Sequence, residues 1–155
     1  MNNLSILIFI AAVIHVLEEF FLPGGFIESA KNTLAKINLS RISGALDNNL
    51  VFVINAMFIL LCIINIFFGG TVLHYSLAAL ILFNAITHIA VSIINKRYVP
   101  GLVTSVLIYI PLAVYIFSTF GKTGDEMILA LAIGILLNFI PMSIVLVRTR
   151  FLLRH

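Results

Sequence analysis

His15, Glu18 and Glu19 lie in the stretch HVLEEF, inside a run that is otherwise almost wholly apolar. Each residue of a helix advances about 100° around the axis, so Glu18 falls about 60° to one side of His15 and Glu19 about 40° to the other. One helix face therefore carries all three ionisable groups. A charge held in mid-membrane costs about 2.5–3.5 kcal/mol or more, so that face must point into a helical bundle or toward water. Neutral imidazole and carboxylate are the ligands of zinc, and also of non-haem iron and manganese. His15 and Glu19, at i and i+4, can reach one ion from a single helix. Farther along, NAITH puts Asn84 and His88 four apart on a second helical face. His88 would complete two histidines and one carboxylate, the ligand set of many catalytic zinc sites and of the iron facial triad. Glu18 is then left as the candidate general base, and Asn84 can orient a ligand or a substrate carbonyl. Neighbouring buried carboxylates repel, so an ion or a shared proton is needed to hold Glu18 and Glu19 together.

Each of these residues has an ordinary reading when taken singly. An intramembrane histidine is commonly a hydrogen-bonded bundle residue, and two glutamates at a helix end are commonly wet interface residues. Asn55, Asn138 and Thr104 read as interhelical hydrogen bonders. The combination of the His15–Glu18–Glu19 cluster with His88 is what favours a site.

The elements that must position these groups are membrane spans. The chain has 155 residues, 62% hydrophobic and 10% charged. A soluble domain is nearer 25% charged, and a chain this short cannot bury so much apolar surface in a soluble core. The composition predicts an all-α integral membrane protein. A span needs about 20 predominantly apolar residues, and five segments qualify: 4–22, 50–68, 72–95, 101–118 and 127–147. LPGG, FGGT, KRYVPG and FGKTGDE carry the turn chemistry between or after them. No cleavable signal peptide is expected, because the N-terminus lacks a basic n-region and a small-residue cleavage site. The 23–49 loop spaces Ile27, Leu34 and Ile37 near helical intervals around Lys31 and Lys36. It reads either as a short amphipathic helix on the membrane surface or as a solvated linker. Cys62 is the lone cysteine, so no disulfide forms within the chain.

With five spans, Lys31, Lys36, Arg41, Lys96, Arg97, Arg148, Arg150 and Arg154 share one side and Lys122 stands on the other. The bias predicts an N-terminus outside and a C-terminus in the cytoplasm, in the plasma (inner) membrane of a cell. These charges form no groove-sized patch, which excludes a nucleic-acid partner. His15 and His88 are each seven residues from the same-side end of their spans, about 10 Å below that boundary. Asn55 reaches a similar depth and Thr104 lies slightly nearer the surface. Pro111 and Pro141 free the carbonyls of Leu107 and Leu137 within the bundle. Polar groups from up to five helices are thus expected in one layer.

HVLEE resembles the motif that names the HXXEE family of small membrane proteins. NAITH and RYVPGLVTS are similar to its later stretches, an N-x-x-x-H in a mid-chain span and a Tyr-x-Pro-Gly-x-x-Thr entering the next. The three pieces occur in order over residues 15–105. The resemblance implies that His15, Glu18, Glu19, Asn84, His88, Tyr98, Pro100, Gly101 and Thr104 form the functional site, and it implies no reaction. Together these readings give His15, Glu19 and His88 as metal ligands, Glu18 as the catalytic residue, and Asn55, Asn84, Tyr98 and Thr104 as substrate-binding residues.

The function expected is an intramembrane metal-dependent enzyme, a hydrolase more than an oxidase. It would take a divalent metal, zinc ahead of iron or manganese, and act on a small or lipid-like substrate from the cytoplasmic leaflet. Because the motif is not H-E-x-x-H, the zincin protease template does not carry over. Two alternatives use the same residues. A proton-coupled or ion transporter would need a continuous polar path, yet the outer halves offer little beyond Asn65, His74, Tyr75 and Tyr115. An accessory subunit would have no chemistry of its own. Symmetry, if transport needs it, could come from a homodimer.

Overall fold

The structure, a computed structural model, describes residues 3–23, 25–119 and 124–152. Gly24 of LPGG, and Lys122 and Arg154 of the charge-bias argument, lie outside them. The described residues are helical and contain no strand. The helices are α1 Asn3–Phe21, α2 Phe26–Lys36, α3 Ser40–Ser43, α4 Asn48–Phe68, α5 Thr71–Asn95, α6 Leu102–Thr119 and α7 Gly124–Leu152. Five of them, α1, α4, α5, α6 and α7, are long and apolar enough to cross a membrane. Large apolar side chains cover their outward faces, among them Phe52, Phe67, Phe68 and Leu107, each more than 60% exposed. Such a surface suits lipid and not water.

The span boundaries differ little from those read in the sequence, except in α7. That helix runs five residues past 147, through Arg148 and Arg150. Arginine is a good helix former, and no glycine or proline stops the chain there. Pro141 sits inside α7 without ending it. The 23–49 segment holds the 11-residue helix α2 and the short α3. Lys36 Nζ donates to Ile94 O and Asn95 Oδ1, while Asn95 Nδ2 donates to Ser29 O and Thr33 Oγ1. These bonds fasten α2 to the end of α5.

Asp47 caps α4, accepting from Leu50 N at 2.8 Å, and pairs with Arg148 of α7. The Arg148 guanidinium holds the Asp47 carboxyl down at about 2. This clasp is open to solvent and screened, so it registers the helices more than it stabilises them. α5 is the central helix, with Tyr75, Leu77, Ala78, Ile81, Ala85 and His88 all buried. It packs about equally on α6 and α7, and at the α7 crossing a Cβ on Gly134 would come within 2.5 Å of Ala79 Cβ and 2.6 Å of Ser76 O. Small residues at that crossing let the two backbones approach, which is the packing that bilayers favour.

Within α6, residues Ser105–Tyr109 form a π-helical segment. Ile110 N–H bonds to Ser105 O, five residues back. Pro111 follows and cannot donate a backbone bond of its own. The wider turn lets the helix continue across this position.

Candidate metal centre

α1 delivers its two glutamates in different directions. Glu18 turns to the start of α6. Its Oε1 accepts from Tyr98 OH at 2.7 Å and Val103 N at 3.0 Å, and its Oε2 accepts from Thr104 N at 2.7 Å and Thr104 Oγ1 at 2.5 Å. Val103 and Thr104 belong to the first turn of α6, whose leading N–H groups have no partner inside the helix. Glu18 is thus a cap borrowed from another span, placed where the helix dipole favours an anion. Pro100 and Gly101 turn the chain into that position, with Gly101 at φ +91°. Burial and the bond to Glu18 both push the Tyr98 phenol upward, keeping it a donor.

Glu19 turns the other way, between α4 and α5. Its Oε1 lies 3.4 Å from His15 Nε2 and 3.0 Å from His88 Nε2, and its Oε2 accepts from Asn55 Nδ2 at 2.7 Å. The side chains of His15 and His88 are 1% exposed and that of Glu19 is 5% exposed, so bulk water does not screen the cluster. All three donor atoms lie within 4.8 Å of one another. In a tetrahedral site with bonds of about 2.0–2.1 Å, donors stand about 3.3 Å apart. Two of the three spacings already meet that figure within a few tenths of an ångström. His15, Glu19 and His88 could therefore hold a metal ion.

The outer contacts fix how His15 presents itself. Its Nδ1 lies 2.7 Å from Thr104 Oγ1. A threonine hydroxyl has one hydrogen, and the short bond to the Glu18 carboxylate takes it. His15 Nδ1 must then be the N–H donor, which leaves a lone pair on Nε2, the atom aimed at the cluster. The relay Glu18–Thr104–His15 is a carboxylate-to-imidazole support of the kind that orients metal-binding histidines. The Tyr109 ring stacks on His15 with centroids 4.3 Å apart. His88 has less support. Its Nδ1 is buried without a partner, and its ring lies against Gly101 and 5.2 Å from the Phe26 ring. A Cβ on Gly101 would fall 2.4 Å from His88 Cε1 and 3.0 Å from His15 Cε1. The bare glycine is what admits both imidazoles.

The structure thus brings His15, Glu19, His88, Asn55 and Asn84 into one cluster, with Asn84 Nδ2 donating to His15 Nε2 at 3.0 Å. Glu18, Tyr98 and Thr104 form the adjoining group at the start of α6. Asn138 stands apart, donating to Gly134 O at 2.9 Å and Leu80 O at 3.4 Å. Sequence spacing did not point to Tyr109 or Phe26. Five residues of α-helix put Tyr109 about 140° away from Thr104, and the π segment brings it round.

Thr104→Val is expected to keep the volume while removing the hydroxyl that fixes the His15 tautomer. Zinc affinity should fall about 10–100-fold, measured by competition with a chelating dye. Unchanged affinity would remove Thr104 from the support of the centre.

A family model described as a protein of unknown function with HXXEE motif matches residues 6–116. No curated protein and no solved structure matches the chain.

Proposed function

The chain belongs to the HXXEE-motif family, and we propose that it is an intramembrane metal-dependent enzyme of the hydrolase class. The observation that carries this reading is the convergence of two imidazoles and one carboxylate, all buried, in a set of three. Structural zinc sites are closed by four protein ligands, whereas catalytic ones use three and keep a position open. A divalent cation, zinc first and iron or manganese as alternatives, would supply Lewis-acid polarisation and a water nucleophile at neutral pH.

The residues divide the work. His15, Glu19 and His88 hold the ion. Asn55 fixes the free arm of Glu19, and Thr104 fixes His15. Glu18, the general base of the sequence reading, is better described as a positioning residue, because four donors already occupy its two oxygens. Glu19 Oε2, which accepts a single bond from Asn55 Nδ2, is the carboxylate oxygen of the centre not turned to an imidazole and would be the proton acceptor beside the ion. We orient the bundle with its N-terminus outside and its C-terminus in the cytoplasm of a cell bounded by its plasma membrane, on the bias of eight basic residues against one. The centre then lies in the cytoplasmic half.

The test is turnover of acyl esters and amides by protein reconstituted in nanodiscs. Activity should vanish with a chelator, return with zinc and be absent in Glu19→Gln. Turnover indifferent to chelation, or none by protein carrying a full complement of metal, would contradict the reading.

A further inference from the structure

A cavity of about 310 Å³ opens beside the centre, between α4, α5 and α7. Its walls are largely apolar, with Phe58, Leu61, Leu80 and Leu137 among them. Met57, Leu60 and Ile64 line it as well and are 41–55% exposed on the outer surface of the bundle. The cleft is therefore reached from the hydrocarbon of the bilayer. Two of its polar wall residues, Asn55 and Asn84, are also the neighbours of the centre, bonded to Glu19 Oε2 and His15 Nε2. From Asn55 the wall runs along α4 to Ile64, about 14 Å at the helical rise.

One atom connects the cleft to the ion. His15 Nε2 has a single lone pair. In the structure it accepts from Asn84 Nδ2; when the pair goes to a metal, that donor loses its partner. The Asn84 carboxamide, partly buried, then stands at the cleft wall beside the ion as a donor in need of an acceptor.

We propose that the cleft between α4, α5 and α7 binds a lipid bearing one hydrocarbon chain, entering sideways from the bilayer, and that Asn84, released from His15 by the metal, holds its carbonyl oxygen. The inference rests on the reading of the centre as a metal site and adds the substrate class. The chain follows Leu60, Leu61 and Ile64, and the carbonyl lies between Asn84 and Asn55. The volume is at the small end of ligand pockets, which suits one chain and not two.

The probe is a palmitoyl ester with a mid-chain diazirine, photolysed in nanodiscs with zinc-loaded and zinc-stripped protein, the adducts being mapped by mass spectrometry. Labelling should concentrate on the α4 and α7 cleft residues, saturate, and fall about tenfold in Leu60→Trp. Phe68→Trp, on the lipid-facing surface outside the cleft, should not change it. Zinc should raise the labelling of the wild type and leave Asn84→Leu unmoved. A diazirine on a two-chain phospholipid should label the outer faces without saturating. Even labelling of all outward faces, indifferent to Leu60→Trp, would overturn the proposal, as would equal saturable labelling of the cleft by the two-chain lipid. Zinc content measured on the same samples separates the two claims. Bound zinc without cleft labelling sinks the substrate class alone. Protein that takes up no zinc sinks the metal centre, and with it the metal-released role of Asn84.

Discussion

Replacing His15, Glu19 or His88 with alanine, one at a time, is expected to lower zinc affinity by more than about 100-fold, beyond the range of an outer-contact change. Each supplies one donor of a set of three, and no other carboxylate or imidazole in the described residues belongs to the set. The three variants should differ in stability. His15→Ala leaves the Thr104 hydroxyl and the Asn84 carboxamide without their shared partner. Glu19→Ala strips the acceptor from Asn55. A fully buried polar group left without its partner costs about 1–3 kcal/mol, and the partly buried Asn55 and Asn84 cost less. His88, with one nitrogen already unpartnered, should be the mildest of the three. Dye competition reads the affinity, and thermal unfolding in detergent reads the stability. A hydrogen-bond network that holds no metal would produce the stability ranking with no zinc affinity to lose.

Gly101→Ala is expected to do as much damage from outside the ligand set. At φ +91° an L-residue is strained, by about 1–2 kcal/mol for left-handed backbone. The new methyl would also stand 2.4 Å from His88 Cε1 and 2.6 Å from His88 Nδ1. Something must move. His88 cannot move far, being held between Gly101 and the Phe26 ring and bonded to Glu19. Overpacking of this kind costs about 1–3 kcal/mol. If α6 retreats instead, it carries Val103 and Thr104 away from Glu18. Either way the imidazoles leave their positions, so zinc affinity should fall with stability. Gly44→Ala is the control: nothing lies within 4 Å of a Cβ there, and it should alter neither. A Gly101→Ala variant that binds zinc like the parent would mean that the close approach is not needed.

The five long apolar helices were legible because a helix that crosses the hydrocarbon core needs a run of about 20 apolar residues. Helical angle and depth sufficed to group His15, Glu19 and His88, since both quantities follow from a fixed rise and turn. The division of labour between the two glutamates was not legible. Adjacent on one face, they differ by the neighbouring helix each meets, which depends on how α1 is rotated in the bundle. The role of YVPGLVT as a receptor for Glu18, through Tyr98, Val103 and Thr104, was hidden for the same reason: an open helix N-terminus attracts an anion, but the sequence does not say which. Tyr109 was out of reach because an α-helical wheel assigns it to the wrong face. The cleft was also invisible, being a gap among three helices whose residues read as ordinary lipid-facing leucines and isoleucines.

The most direct measurement is an anomalous-diffraction map of crystals grown from zinc-loaded protein, with data collected on both sides of the zinc absorption edge. One anomalous peak is expected at bonding distance from His15 Nε2, Glu19 Oε1 and His88 Nε2. A map of the folded protein with no peak there, the two imidazoles still bonded to Glu19 and Asn84, would contradict it.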